Sequence, residues 1–242
     1  STVASQSLKD SIVDFLRDKT SISTEVITAD PKFIVLDIVT SVRYNSTQTT
    51  RSEEDLRSSV LSNIIKFGAD NLSEFNKDFR FSKLLTTIDN TDTSILSNNT
   101  TVRMAKEISP FVGTTSNYVL NYNNSIEKGS FRSSLFILNI NGVNFEASVE
   151  DLNGTVRLVS STRGSKEVLN FNLGSIDYES GIINLNNFVL SGYFSRRRVA
   201  FGDRVQFYAN SVTPDIIVEQ DQIILIQSLN TSVTINGQTT DD

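Results

Sequence analysis

A chain of 242 residues with 22 Lys plus Arg against 28 Asp plus Glu, and with no His, Cys or Trp, lacks most of the side chains that do covalent and metal chemistry. Without His or Cys there is no Ser-His-Asp or Cys-His nucleophile system, no thiolate redox pair and no ordinary zinc, haem or iron-sulfur site, so neither a cofactor nor a metal is expected. The net charge of −6 also argues against a general phosphate-binding surface, so nucleic acid is not an expected partner.

No run of about eighteen apolar residues is present, so membrane insertion is not expected. With no Cys for disulfides, the fold must be stabilised by its own core or by partner subunits. The chain holds 33 Ser, 23 Thr and 23 Asn, close to a third of its length. These residues favour turns, caps and, for Thr, strands, so many short strands joined by turns are expected. It starts at Ser1 without an initiator Met or a signal-peptide core, which reads as part of a longer protein.

In chain order, Leu8, Ile12, Phe15 and Leu16 fall at helical spacing. Thr24 to Thr28 is a short strand candidate before the turn Ala29-Asp30-Pro31. Ile34, Leu36, Ile38, Val42 and Tyr44 then share one face of a strand with polar Thr40, while Asp37, Ser41 and Arg43 occupy the other. Thr50 followed by Glu53 fits a capping box opening a helix with the stripe Leu56, Val60, Leu61, Ile64 and Ile65, and Gly68 is its expected stop. A shorter helix carries Leu84, Leu85 and Ile88, and Thr101 to Ile108 alternates as a strand.

After Pro110 the helical period disappears. Alternation runs through Tyr118, Leu120 and Tyr122, through Val143, Phe145, Ala147 and Val149, and through Val156, Leu158 and Val168 to Leu173. Asn141-Gly142, Asn153-Gly154, Arg163-Gly164 and Ser180-Gly181 are the turns between them. Val205 to Ala209 and Ile223 to Ile226 are the last strand candidates. The predicted fold is α+β, in two parts. Residues 1–109 form an α/β sandwich with helices on one face of a small sheet, and residues 110–242 form a mostly antiparallel β-rich domain.

Carboxylates are the remaining acid-base groups. Glu53, Glu54 and Asp55 sit where a helix dipole favours negative charge, which is a structural role. Asp215, Glu219 and Asp221 flank an apolar segment but match no calcium-loop pattern, and Asp241 and Asp242 form a terminal tail. The densest positive feature is Arg196-Arg197-Arg198 behind Tyr193 and Phe194. Arg and aromatic side chains dominate interface hot spots, so these five residues are the candidate protein interface, against the simpler reading of a solvated hairpin tip. Asn45, Asn71, Asn98, Asn99, Asn123, Asn153 and Asn230 begin formal glycosylation sequons, as the composition alone would produce.

One succession of motifs is less generic. Asp30-Pro31, a strand, Tyr44-Asn45, a capped helix, the run from Phe79 through Arg80 and Phe81 to Asp89, and Val102-Arg103 follow in order. Downstream come Gly174-Ser175-Ile176-Asp177-Tyr178-Glu179-Ser180-Gly181, then Val205, Phe207 and Ala209, Asp215-Ile216 and Gln222-Ile223. This order, from about Thr24 to Val233, resembles the carboxy-terminal part of the gene-six baseplate wedge family of T4-like contractile-tailed bacteriophages. Its first half is also similar to the wider baseplate-J-type module.

The resemblance implies a structural virion protein of the tail baseplate, assembled in the host bacterial cytoplasm, and no enzyme. It implies a homodimer whose self-contacts, with contacts to other wedge proteins, join wedges into a ring around the tail hub. It carries over no catalytic motif and no set of contact residues. A receptor- or carbohydrate-binding β module is the alternative, weakened by the absence of Trp for sugar stacking. A two-carboxylate hydrolase would need a concave pocket with paired acids.

Overall fold

The computed structural model of the chain describes residues 4–17, 19–20, 25–28, 30–160, 166–194 and 203–239. Its first part contains α1 (Gln6–Arg17), β1 (Lys32–Asn45), α2 (Glu53–Asn71), α3 (Phe81–Asp89) and β2 (Ile95–Ile108). The alternation in β1 is real: Ile34, Leu36, Ile38, Thr40, Val42 and Tyr44 are all buried, while Val39 and Arg43 are exposed. Buried Thr40 is tolerated because its Oγ1 lies 2.7 Å from Thr100 Oγ1 on the neighbouring β2. On the opposite face Asp37 pairs across the strands with Arg103, whose Nε donates at 2.8 Å.

Three local expectations are corrected. The residue capping α2 is Ser52, not Thr50: Ser52 Oγ accepts from the Asp55 N–H at 3.1 Å and donates to the Asp55 carboxylate at 2.7 Å. The capping logic holds two residues further on, with Asp55 in place of Glu53. Gly68 does not end α2, which continues to Asn71 with Leu72 at its C-cap. Gly68 is there because α2 lies against β12 (Gln222–Gln238), and a Cβ on it would stand 2.8 Å from the Cβ of Ile226. The strand proposed at Thr24 to Thr28 is absent from its described residues, 25–28, and Ile27 is 80% exposed.

The helix expected around Leu8 forms as α1, but none of its residues is buried. Leu8, Ile12 and Phe15 remain open to solvent along one stripe.

The second part is built from β3 (Ser116–Asn121), β4 (Arg132–Ser133), β5 (Phe136–Ile140), β6 (Val143–Leu152), β7 (Thr155–Ser160), β8 (Glu167–Asp177), β9 (Ile182–Phe188), β10 (Gly192–Tyr193), β11 (Val205–Ala209) and β12. Pairing among β3 to β11 is antiparallel throughout. The Asn-Gly signals work as expected: Asn141-Gly142 joins β5 to β6 and Asn153-Gly154 joins β6 to β7. All four residues have positive φ, as a type I′ turn demands. Arg163-Gly164 lies outside the described residues. Aromatic rings fill the interior: Phe136 and Phe188 meet edge to face at 5.2 Å, and Phe131 stacks on Phe207 at 5.9 Å. Tyr122 is fully buried, so its hydroxyl needs a partner and donates to the Phe207 carbonyl at 2.8 Å.

Hydrogen bonding joins the described strands into one twelve-stranded sheet. Its order is β12-β1-β2-β11-β4-β6-β7-β8-β9-β3, with β5 on β6 and β10 on β5. The content is thus mixed α+β and rich in strand. The strand expected at Ile223 to Ile226 extends to Gln238 and runs parallel to β1. β11 lies antiparallel to β2. Strands from the end of the chain therefore flank the β1–β2 pair on both sides.

Candidate interaction site

Tyr193 forms β10 with Gly192 and pairs with Phe136 of β5. Its hydroxyl donates to the carbonyl of Pro110, and burial, reinforced by nearby Asp203, raises its pKa. Phe194 follows it, half-buried. Arg196, Arg197 and Arg198 lie outside the described residues. Of the five candidate interface residues, then, Tyr193 is a strut whose polar end is already used.

What that strut holds is more exposed than the strut itself. Immediately after Pro110 the chain turns at Phe111 to Thr114, where the Thr114 N–H donates to the Phe111 carbonyl at 3.1 Å and the Gly113 N–H to Leu190 at 2.8 Å. The turn presents Phe111, 82% exposed, with Val112 half-exposed beside it. Apolar side chains on a turn tied down at both ends are pre-organised for contact, since little entropy remains to be lost. Sequence reasoning passed over this pair because it looks for apolar residues inside elements. The available signal was an apolar pair set between Pro and Gly, where turns are normally polar.

The Gly-x-Ile-Asp-Tyr-x-x-Gly run is a corner in which each fixed residue has a physical reason. Gly174 passes so close to β9 that a Cβ would stand 1.9 Å from the Asn184 carbonyl oxygen. Asp177 accepts from the N–H groups of Glu179 and Ser180 and from the Ser180 hydroxyl, which lowers its pKa. Gly181 takes φ of 68° against the carbonyl of Asn124. Tyr178 reaches across to Asp151, whose two carboxylate oxygens each lie 2.8 Å from its hydroxyl. Asp151 also accepts the N–H groups of Gly129 and Gly154, so one carboxylate ties three segments together. Burial first, and the Asp151 carboxylate second, push the Tyr178 phenol up to about 12.

The carboxylates singled out by sequence are held singly. Glu54 pairs with Arg57, one turn along α2. Asp215 accepts the Phe81 N–H at 2.9 Å and a guanidinium hydrogen of Arg80 at 3.0 Å, which together hold its pKa below the usual range. It caps α3 from a distant loop, because the N-cap residue Arg80 offers no side-chain bond of its own. Glu219 accepts from Asn123, and Asp221 pairs with Lys32 at 2.7 Å. Asp241 and Asp242 lie outside the described residues. Among the described residues no cluster of three acidic side chains is arranged to hold a metal ion, and no helix is long and apolar enough to cross a membrane.

Residues 32–107, from the first residue of β1 almost to the end of β2, match the family described as baseplate structural protein gp6, C-terminal domain III. Residues 32–107 are thus similar to a domain of a bacteriophage baseplate structural protein. A similarity to a named protein extends beyond those residues. The chain is 27% identical over 163 residues to the baseplate wedge protein gp6 of Enterobacteria phage T4, across 66% of this chain and 24% of that protein. The chain thus spans about a quarter of the length of that curated relative.

Proposed function

We propose that the chain is a joining element of a tail baseplate wedge. It associates with a second copy of itself and with other baseplate wedge proteins, and these contacts link wedges into the ring around the tail hub. The observation that carries this reading is the match of residues 32–107 to the gp6 domain, which covers β1, α2, α3 and most of β2. In this reading the work is done at surfaces and no reaction is catalysed. Tyr193 and Phe194, with Arg196, Arg197 and Arg198, form one contact region, and the adjoining turn at Phe111 and Val112 extends it.

Two modules belong to the same proposal. One is an α/β sandwich over residues 1–109, with α2 and α3 on one face of its sheet. The other is the β-rich domain of residues 110–242. Hydrogen exchange that falls into two cooperative sets divided near Ser109 would support that division, and one common set would oppose it.

The functional test is assembly. Mixed with the other wedge subunits, the chain should enter a complex visible by light scattering and electron microscopy. Alone it should form a homodimer burying more than about 1,000 Å² in total. A strictly monomeric mass at high concentration, with no entry into wedge complexes, would overturn the reading.

A further inference from the structure

We propose that the outer edge of β12 is where the second copy docks, by antiparallel pairing of β12 with the same strand of its partner. This rests on the self-association reading above and gives it a location.

β12 ends the strand order of the sheet, and among the described residues only β1 pairs with it. The Lys32 N–H donates to Asp221 and the Ser46 N–H to Gln238, which fixes the side of the strand that faces β1. Backbone groups alternate along a strand, so those of Val233, Ile235 and Gly237 point away from β1, where a further strand would lie. Residues 231–238 alone span roughly 25 Å of edge.

Exposed edges are normally protected by charge, Pro, short length or covering elements. β12 is 17 residues long and contains no Lys, Arg, Asp, Glu or Pro. β3, at the other end of the strand order, has only 6 residues and a register break. The net charge of −6 therefore lies wholly outside β12. A strand without charges places no like charges opposite one another when it pairs with itself.

β12 is also incompletely satisfied. Of the four buried side-chain polar atoms without a partner among the described residues, three are on this strand: Gln222 Nε2 and both amide atoms of Asn230. Asn230 sits at an irregularity where β12 has extra residues between the partners of Leu36 and Ile38, beside Leu229, whose side chain is largely exposed. A second strand would cover the exposed Leu229 beside it, while the Asn230 and Gln222 amides stay enclosed within one copy. The closed two-fold dimer that results places the same edge on both sides of the contact.

The test uses the full chain in two forms. Ser232 and Thr234 are exposed, and Ser232→Lys with Thr234→Lys puts charge on the pairing strand while lowering the overall negative charge. Sedimentation equilibrium should show dimerisation weakened about tenfold or more, with an unchanged circular dichroism spectrum. Because the parent has no Cys, single substitutions Ser228→Cys, Ser232→Cys and Thr234→Cys can be oxidised without background. Antiparallel self-pairing predicts a disulfide-linked dimer concentrated at whichever position lies nearest the two-fold axis. A parent dimer indifferent to the Lys pair and uncrosslinked at all three positions overturns the β12 assignment and leaves self-association standing. A parent that stays monomeric at high concentration overturns self-association itself.

Discussion

Gly68 of α2 and Ile226 of β12 meet with no room between them, since a Cβ on the glycine would lie 2.8 Å from the Ile226 Cβ. Gly68→Ala therefore sets two effects against each other. Helix propensity gains about 1 kcal/mol. Forced separation of a packed helix and strand costs about 1–3 kcal/mol. Steric cost wins, and the urea midpoint of unfolding should fall. An unchanged or raised midpoint would mean that α2 does not approach β12 as closely as described.

Asp215→Ala removes a cap supplied to α3 across the chain and should cost about 1 kcal/mol. The pH dependence follows from the sign of the shift. Asp215 has a folded pKa below its unfolded value, held there by the Phe81 N–H and then by Arg80. Its contribution is present above the unfolded pKa near 4 and is lost as pH falls through the lower folded value. The substituted chain should therefore show a shallower loss of stability on acidification, read as unfolding free energy against pH. About a third of the side chain is exposed, so solvent screening keeps the effect small.

Tyr178→Phe deletes the hydroxyl that Asp151 accepts and should cost about 1.5–3 kcal/mol, the range for a hydrogen bond to a charged group. Tyr178 titrates near 12, above its ordinary value of 10.0. The neutral phenol is the stabilised form, so its contribution is complete below the unfolded pKa and disappears as pH rises through about 12. Burial also raises Tyr208 to about 12 and Tyr122 well above its ordinary value, so ultraviolet titration should show one late phenol fewer in the Phe variant than in the parent.

Phe111→Ser tests the exposed turn. The ring is 82% exposed, so thermal stability should change by no more than about 0.5 kcal/mol. Incorporation into wedge complexes should fall, as judged by co-sedimentation with the other subunits. Full incorporation would remove this turn from the proposed contact region.

The sequence by itself determined the local elements. Period-two burial in β1, the stripe of α2, the Asn-Gly hairpins and the order of motifs shared with the gp6 family all reside in neighbouring residues, where side-chain periodicity and turn conformations are encoded. One of its errors was local and small, the two-residue displacement from Thr50 to Ser52 at the start of α2.

Only the tertiary structure decided what each element meets. That β12 returns to lie parallel to β1, that Asp215 caps a helix 134 residues away, and that Gly68 is a contact and not a stop are pairings between distant segments. Such pairings depend on which surfaces fit once the whole core has closed, a condition no short window of sequence contains. The missing His, Cys and Trp excluded chemistries from the start. Packing then determined which buried polar atoms lack a partner among the described residues, and three of those four belong to the uncharged strand β12.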